Sequence, residues 1–300
     1  MSETASLAAA QAPQIELQTT RKSASWWQKF RRHRLALTGM VLIGILAILS
    51  IFGPFFLKFG PNEIDLMSFR TAPSSTHLLG TDAAGRDVLA RLFHAGRVSL
   101  SVGLVAVGIY VAIGVVLGGV SGYVGGWVDS LIMRFADMVL SFPAIIVIIT
   151  LVSILGPSIF NVMLVIGLLG WPPITRLVRG EFLSLRERDF VIASKSTGAP
   201  DLRIIFRHIL PNALTPVIVN ATFGMAQAIL LEAALSFLGL GVQPPTASWG
   251  NMLNAAQSIT VLEEMPWLWL PPGLMIVLSV LSINFVGDGL RDALDPRTRM

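Results

Sequence analysis

The sequence contains no cysteine and only four histidines. The absence of cysteine excludes disulfides, iron–sulfur clusters and zinc sites built from thiolates, and it leaves the compartment open. The histidines are His33, His77, His94 and His208, and none lies four residues from another. A helix that presents two histidines to zinc needs that spacing, so the sequence does not favour a metalloprotease.

Charged residues are also scarce, at 13% of the chain, against about 25% in typical soluble domains. Hydrophobic residues make up 53%, and the mean hydropathy is +0.70. So few charges cannot cover a surface that faces water, and we predict an all-α integral membrane protein. The net charge of +4 fits basic residues collected in cytoplasmic loops better than it fits a nucleic acid partner, and we expect none.

Long runs that lack charge, one of them interrupted once by Glu232, predict six transmembrane helices. Each run is long enough to cross a hydrocarbon core of about 30 Å. The longest run is divided at Gly156 and Pro157, which predicts two helices there. The predicted helices cover residues 35–57, 99–122, 138–155, 158–177, 210–236 and 267–290.

Lysine and arginine predict the orientation. Six basic residues precede the first helix, six lie between helices four and five, and three lie in the C-terminal tail, whereas the loop after helix five has none. The positive-inside rule therefore makes both termini cytoplasmic. Loop 58–98 must then be external, and its five basic and four acidic residues favour a small folded excursion.

The segment before the first helix divides in two. Residues 1–25 are rich in alanine, glutamine, serine and threonine, and we predict a disordered cytoplasmic tail. Residues 26–34 place Trp26, Trp27 and Phe30 on one helical face, which favours a basic and aromatic helix in the lipid headgroup layer. A basic flank that only sets the topology is the alternative.

Gly114, Gly118, Gly122 and Gly126 follow one another at intervals of four residues. Such a stripe carries no side chains, so a second helix can approach closely, and we predict helix packing. A stripe that lines a pore is the less favoured interpretation.

The predicted cytoplasmic loop 179–210 is long and amphipathic. Residues 181–197 are predicted to form a helix that ends at Gly198 as a left-handed cap. A second short helix then begins with Pro200 at its first position and Asp201 near the positive end of the helix dipole. The apolar face of this second helix consists of Leu202, Ile205, Phe206 and Ile209. Two such helices parallel to the membrane favour docking of a cytoplasmic partner, and a connector without a partner is the alternative.

Within this loop, residues 189–212 resemble the EAA loop of ABC importer permeases. The family loop carries Glu-Ala-Ala, three variable residues, a glycine and, later, Leu-Pro. The matching positions here are Ala193, Ser194, Gly198, Leu210 and Pro211. Ile192 stands where the family has glutamate, and His208 replaces the usual isoleucine, whereas the small residues are kept.

Three further stretches resemble the dipeptide, oligopeptide and nickel subfamily, in its second, C-type permease subunit. They are residues 77–91, beginning His-Leu-Leu-Gly-Thr-Asp; residues 232–250, beginning Glu-Ala-Ala-Leu-Ser-Phe; and residues 287–296, beginning Gly-Asp-Gly-Leu-Arg-Asp. Four motifs in this order make the resemblance specific, and it covers about residues 26–296. It implies a type I ABC importer permease domain over 35–300.

The resemblance also implies the partners. Such a subunit forms the translocation pathway with a second, different permease in the bacterial inner membrane, two cytoplasmic ATPases drive it, and an extracytoplasmic binding protein delivers di- or oligopeptides. The residues implied to contact an ATPase are Ala193, Ser194, Gly198, Asp201, Arg203, Phe206, Arg207, Leu210 and Pro211. Apolar packing over 189–207 would make the contact, and Arg203 or Arg207 would reach acidic groups.

The chain lacks the phosphate loop of an ATPase. None of its four lysines follows a glycine, so no Gly-Lys-Ser/Thr motif exists. We therefore expect no catalytic residue and no cofactor in this chain, with ATP and Mg²⁺ bound by the partner ATPases.

Glu232 is the one charge inside the fifth predicted span, near its external end. A charge at the centre of a span costs roughly 2.5–3.5 kcal/mol, and less near an interface. Glu232 is therefore either a pathway or gate contact that faces the cavity or an interfacial carboxylate that packs against a partner subunit. Asp82 and Asp87 are too few for a calcium loop, and we expect pairing with Arg86 or Arg91, or docking of the binding protein.

A secondary transporter or channel that works alone is the alternative class. Such proteins carry broken helices and paired ionisable residues near the midplane of the membrane. The predicted spans here are nearly free of charge, which favours the importer subunit. The sequence leaves the cargo open among dipeptides, longer peptides, nickel chelates and other solutes.

Overall fold

A computed structural model of the protein describes residues 26–294. The helices are α1 (Trp26–Arg32), α2 (Arg34–Phe52), α3 (Val88–Val124), α4 (Gly126–Leu140), α5 (Ala144–Leu155), α6 (Ile159–Leu169), α7 (Trp171–Leu185), α8 (Asp189–Ser196), α9 (Asp201–Ile204), α10 (Leu210–Phe237), α11 (Trp249–Leu253), α12 (Ile259–Glu264) and α13 (Pro266–Leu294). A π-helical turn occupies Ile205–Ile209, and 3₁₀ turns occupy Gly53–Phe56 and Asn254–Gln257. Within residues 26–294 no strand forms beyond two isolated bridges. The predicted tail 1–25, the side chain of Trp26 and the basic residues Arg297 and Arg299 lie outside what the structure describes.

In this part of the chain, five helical runs are long and apolar enough to cross a membrane. They are Arg34–Phe56, Val88–Val124, Ile159–Leu185, Asp201–Phe237 and Pro266–Leu294. The pair α4 and α5 makes a sixth crossing if it is counted as one span bent by 81°. The predicted all-α membrane fold is confirmed, and the predicted helices 35–57, 158–177, 210–236 and 267–290 each fall on one of the five runs.

The third predicted helix, 138–155, is wrong as a single element. α4 ends at Leu140, and α5 begins only at Ala144. Pro143 has an extended backbone at the N-cap of α5, and a residue that precedes proline is disfavoured in the α conformation. The helix therefore breaks at Phe142, although the apolar sequence continues through the break.

The second predicted helix, 99–122, begins earlier than expected. α3 starts at Val88, where the Asp87 carboxylate caps it by accepting a hydrogen bond of 2.7 Å from the backbone N–H of Ala90. Its 37 residues make a helix of roughly 55 Å, longer than a hydrocarbon core of about 30 Å. The first turns of α3 thus support the irregular residues 57–87, which we call the excursion.

α3 lies at the centre of the bundle, where it packs against α2, α6, α7 and α10. The main hydrophobic cluster joins buried side chains of α3, α5, α6, α7 and α10, among them Val102, Tyr110, Trp171, Ile174, Val178 and Phe182. The exposed large apolar side chains include many residues of α4 and α5. The bent pair therefore lies at the periphery of this subunit.

The two ends of the described chain meet at one end of the bundle. α1 packs against the C-terminal part of α13, and Phe30, 2% exposed, contacts Ala36 and Ala293 there. His33 Nε2 lies 3.5 Å from Asp292 Oδ2. Phe30 of the predicted headgroup helix 26–34 is therefore buried in protein, whereas Trp27 is exposed, and the place of this helix in the headgroup layer stays a prediction.

Residues 186–209, which we call the connecting segment, lie at this same end. α7 runs parallel to α3, with Ile174 beside Gly114 and Phe182 beside Gly122. The first half of α10 leads up to the contact with α13 at which Thr222 neighbours Gly287, near the C-terminal end of α13. We call this end the connecting end and the opposite one the excursion end.

Candidate coupling site

The connecting segment starts with an interruption. Residues 181–197 do not form the single predicted helix, because α7 ends at Leu185 and Arg188 takes an extended backbone with φ −78° and ψ 146°. α8 then begins at Asp189. A carboxylate in a first turn interacts favourably with the helix dipole, which favours a new start at Asp189 over continuation of α7.

Gly198 ends α8 in the left-handed conformation that the sequence predicts, with φ +77°. The N–H of Gly198 donates to the Lys195 carbonyl (3.0 Å), and the N–H of Ala199 donates to the Ser194 carbonyl (3.2 Å). These two bonds form a Schellman motif. A Cβ at Gly198 would have no neighbour within 4 Å, so the backbone angle and not crowding selects glycine here.

α9 begins at Asp201, and Pro200 occupies its N-cap instead of the predicted first helical position. α9 is not a separate helix parallel to the membrane, as the sequence predicted. It continues through the π turn into α10, so residues 201–237 form one helical run of 37 residues.

Pro211 explains the π turn. Proline has no N–H to donate, and its ring clashes with the backbone carbonyl four residues before it in a regular α-helix. The helix widens immediately upstream, where the N–H of Leu210 donates to the carbonyl of Ile205, five residues back. The side-chain amide of Asn212 donates to the carbonyl oxygen of His208 (2.7 Å). The Leu-Pro of the family loop thus sets the geometry where the connecting segment joins α10.

The side chains of the connecting segment divide into an anchored and an exposed set. Val191, Ile204 and Ile209 are buried in the main cluster. The apolar side chains left exposed, which we call the exposed apolar set, are Phe190, Ile192, Leu202 and Phe206. The predicted apolar face of the second helix is therefore split, since Leu202 and Phe206 are 68% and 64% exposed and Ile209 is buried.

The residues proposed for ATPase contact lie around this set. Those that are exposed are Ala193, Gly198, Asp201, Arg203, Phe206, Arg207 and Pro211, whereas Ser194 and Leu210 are half-buried. Neither Arg203 nor Arg207 forms an ion pair with another residue between 26 and 294. Both guanidinium groups are therefore available to a partner.

The connecting segment is tied to α3 by a hydrogen bond. The Tyr123 hydroxyl, at the end of α3, donates to Asp201 Oδ1 at 2.6 Å. Next to it, Arg179 donates through Nε and Nη2 to the two oxygens of Asp129 at 2.5 and 2.6 Å, and this joins α7 to α4. Ser121 also donates to Asp129. The exposed apolar set thus lies at an end of the bundle where polar contacts link α3, α4, α7 and α9.

The glycine stripe of α3 faces α7 over three of its four members. A Cβ at Gly114 would lie 2.5 Å from Ile174, one at Gly118 would lie 2.6 Å from the Thr175 carbonyl oxygen, and one at Gly122 would lie 2.6 Å from Phe182. The stripe is therefore occupied by a helix and does not line a pore. The prediction that Gly126 belongs to the packing stripe is wrong. Gly126 follows the end of α3 with φ +59°, and a Cβ added there would have no neighbour within 4 Å.

Glu232 is completely buried inside this subunit, at 0% exposure. The Ser99 hydroxyl donates to its Oε2 (3.1 Å), and the Ser236 hydroxyl donates to its Oε1 (2.7 Å). Ser99 Oγ in turn accepts a hydrogen bond from the backbone N–H of Trp249. Both predicted settings, a contact in the cavity and a contact at a partner surface, are therefore wrong: the carboxylate joins α3, α10 and α11.

The excursion is held by its own polar contacts. Asp82 pairs with Arg86 (2.8 Å) and approaches Arg91 (3.5 Å), as expected from the sequence. The ring nitrogens of the buried His77 lie 2.9 Å from Asp87 and 3.4 Å from Asp65. Hydrogen bonds from the Met67 backbone, from Ser68 and from His77 lower the pKa of Asp65. Within residues 26–294 no group of three potential ligands is arranged to hold a metal.

Two family models match the sequence. Residues 114–300 match the binding-protein-dependent transport system inner membrane component, and residues 23–73 match the N-terminal transmembrane domain of oligopeptide transport permease C. The first match covers more than half of the chain.

Relatives match over nearly the whole length. A candidate peptide permease of Brucella suis biovar 1 is 49% identical over 91% of this chain and 90% of its own. The dipeptide transport system permease DppC of Alkalihalophilus pseudofirmus is 42% identical (91% and 89%), and the glutathione transport system permease GsiD of Escherichia coli O6:K15:H31 is 41% identical (91% and 90%). The chain belongs to the inner-membrane components of binding-protein-dependent transport systems.

The fold of the permease agrees with this family. An inward-facing structure of the MetNI methionine ABC transporter matches with a TM-score of 0.55 and 19% identity, over 68% of this chain and 96% of that chain. At this identity the match supports the fold alone. It agrees with the multi-span arrangement around α3.

The sequence alone missed two polar links of the permease. Asp129 and Arg179 each border a charge-free run and have opposite sign, a signal that could have predicted their pairing. The bond between Tyr123 and Asp201 had no such signal, since the residues are 78 positions apart and lie on different helices, α3 and α9.

Proposed function

We propose that this permease is one of two different membrane subunits of an ATP-driven importer of di- or oligopeptides. The observation that carries the proposal is the exposed apolar set, which surrounds the Gly198 turn on a segment anchored to α3 and α10. Apolar side chains exposed at the end of a membrane bundle favour a protein partner. The relatives named for peptides, dipeptides and glutathione support the cargo class.

The partner at this surface is a cytoplasmic ATPase. Phe190, Leu202 and Phe206 enter an apolar groove on it, and Arg203 and Arg207 reach acidic groups at the rim of that groove. ATP and Mg²⁺ are bound by two such ATPases, because this chain carries no Gly-Lys-Ser/Thr loop. Closure of the ATPase pair pushes the connecting segment and, through the run 201–237, tilts α10.

The remaining partners follow from this orientation. The connecting end and both termini face the cytoplasm of a bacterium, and the excursion end faces outward, where an extracytoplasmic binding protein delivers the peptide. A second permease and the lipid bilayer share the exposed apolar side chains of the bundle. No nucleic acid takes part.

The proposal is tested by reconstitution. The chain is purified with an affinity tag in mild detergent, its co-purifying subunits are identified by mass spectrometry, and the complex is placed in liposomes with ATP and labelled dipeptide. Phe206→Ser should lose ATPase co-purification and ATP-driven uptake. Phe56→Ser, which changes an even more exposed phenylalanine at the excursion end, should keep both.

Two outcomes contradict the proposal. One is uptake by the chain alone without ATP, which would favour a secondary transporter or channel. The other is normal ATPase co-purification with the Phe206→Ser variant, which would remove the connecting segment from the contact.

A further inference from the structure

A cavity of about 440 Å³ opens at the excursion end. One wall comes from the excursion and the first turn of α3, and the other comes from the end of α10 and the loops around α11 and α12. A volume of this size is typical of small-molecule pockets. Charged side chains line part of this cavity, whereas the contacts between the helices of the bundle are mostly apolar.

The charges around this cavity do not balance. Its lining includes three guanidinium groups, those of Arg70, Arg86 and Arg91, and one carboxylate, that of Asp82. Three positive charges and one negative charge leave a net charge of +2 on the wall. An anion in the cavity would therefore meet a net positive field.

Asp82 has no capacity left to neutralise the wall. Its Oδ1 accepts backbone hydrogen bonds from Ala84 (2.8 Å) and Arg86 (3.0 Å). Its Oδ2 accepts from Arg86 Nε (2.8 Å) and lies 3.5 Å from Arg91 Nε. The Arg91 side chain, which is buried, otherwise donates to the backbone carbonyls of Pro61 and Pro245 (3.2 and 3.4 Å). Both guanidinium groups thus share one carboxylate.

Arg70 is the third cation and has no counterpart. Its guanidinium makes no hydrogen bond or ion pair with another residue in the described range 26–294. Its backbone lies at φ +50°, the one non-glycine residue with positive φ in that range. A glycine would take this conformation without strain, whereas an arginine held there costs on the order of 1–3 kcal/mol. The strained backbone places a free guanidinium at the exposed edge of the cavity.

We propose that this cavity binds a carboxylate, with Arg70 as the group that contacts it. A guanidinium matches a carboxylate in two parallel hydrogen bonds, which favours a planar anion over a spherical one. The carboxylate belongs either to a small free molecule or to an acidic side chain of a protein. This inference goes beyond the proposed function, because binding here requires neither ATP nor the connecting segment.

The test uses the purified full chain in phosphatidylcholine nanodiscs, with binding measured by calorimetry. One pair of probes is N-acetyl-dialanine and its C-terminal amide, and the other is an acetylated, amidated glutamate octapeptide and its glutamine equivalent. The carboxylate form of at least one pair should bind roughly tenfold or more tightly than its neutral form. Arg70→Gln should remove that difference, and Arg70→Lys should keep part of it. Lys58→Gln, which removes an exposed cation outside the cavity, should leave it unchanged.

The two probe pairs identify the source of the carboxylate. Dependence on Arg70 with the dialanine pair supports a small free ligand, and dependence with the octapeptide pair alone supports a protein side chain. Equal binding of the charged and neutral forms in both pairs would overturn the proposal, as would an Arg70→Gln variant that still distinguishes them. ATP-driven uptake is not measured here, so failure of this test leaves the proposed function standing.

Discussion

At Gly198 the backbone angle, and not crowding, favours glycine over other residues. The α-carbon lies in open space, yet φ is +77°, where a side chain costs roughly 1–2 kcal/mol. The turn directs the exposed apolar set on either side of it. A residue that resists this angle should therefore disturb the surface without disturbing the core.

This leads to a prediction for two variants. Gly198→Val should strongly reduce ATPase co-purification and ATP-driven uptake, because β-branched residues are outliers at positive φ. Gly198→Asn should reduce both less, since asparagine tolerates the left-handed region. The comparison is made in the reconstituted complex. Equal losses in the two variants would show that the backbone angle is not the cause.

Glu232 is a second residue whose role depends on its surroundings. It accepts hydrogen bonds from two serines and reaches no surface. Glu232→Ala would leave both hydroxyl groups without an acceptor and open a cavity, and we expect a loss of about 3 kcal/mol in stability. Glu232→Gln keeps the shape of the side chain and one acceptor oxygen, and its stability should be close to that of the unmodified protein. Thermal unfolding in detergent measures the difference.

An uptake assay of the Glu232→Gln variant tests whether Glu232 has a structural role or contacts the substrate. A carboxylate that contacted a substrate amine would make Glu232→Gln inactive at unchanged thermal stability. The buried serine partners predict the opposite, a stable variant with normal uptake.

At the scale of elements, the close contact between α3 and α7 is the clearest packing device. Gly118→Ala would place a Cβ 2.6 Å from a backbone oxygen of α7, which cannot move aside easily. We expect a loss of about 1–3 kcal/mol in stability. Gly108→Ala is the matched control in the same helix, because nothing lies within 4 Å of its Cβ. Alanine has a higher helix propensity than glycine, so the stability of the Gly108→Ala variant should be equal to that of the unmodified protein or higher. Equal midpoints of thermal unfolding for both variants would contradict the packing.

The link between α3 and α9 makes another prediction. Tyr123→Phe removes the hydroxyl that donates to Asp201 and nothing else. Thermal stability should fall by only about 1 kcal/mol, while the peptide imported per ATP hydrolysed should decrease, since the connecting segment loses its tie to the bundle. An unchanged ratio would show that this bond does not transmit movement.

The elements also show how far the sequence could lead. Charge-free runs predicted the crossings, because a bilayer imposes length and apolarity on a helix directly. The break at Phe142 was missed, since hydropathy does not register the conformational restriction before Pro143. Gly198 was predicted from a local preference for positive φ. The continuation of α9 into α10 was not, because a π turn depends on how Pro211 is accommodated in three dimensions.

The candidate site was predictable to a similar extent. The positions of the family loop were readable as a pattern, but which of them face outward depends on anchors such as Ile204 and Ile209. Glu232 was misassigned because its partner Ser99 comes from α3, and a single sequence does not reveal contacts between distant segments.

At the scale of the whole molecule, the lack of cysteine allows the orientation to be tested without background labelling. Ser75→Cys places a thiol on the exposed excursion, and Ser196→Cys places one on the exposed end of α8. A membrane-impermeant maleimide should label the first variant in spheroplasts and the second only in inverted vesicles. The reverse pattern would place the connecting segment outside and exclude contact with a cytoplasmic ATPase.

The run from Asp201 to Phe237 has a mechanical consequence. At 1.5 Å per residue, its 37 residues make a rod of roughly 55 Å. The rod is pinned near one tip by Glu232, which Ser99 holds from α3. Under the coupling that we propose, this contact would act as a fulcrum, and the connecting segment would move together with the helices that anchor it. Movement would then be largest at the connecting end and smallest near Glu232, so we expect the cavity beside Arg70 and Arg91 to keep its shape.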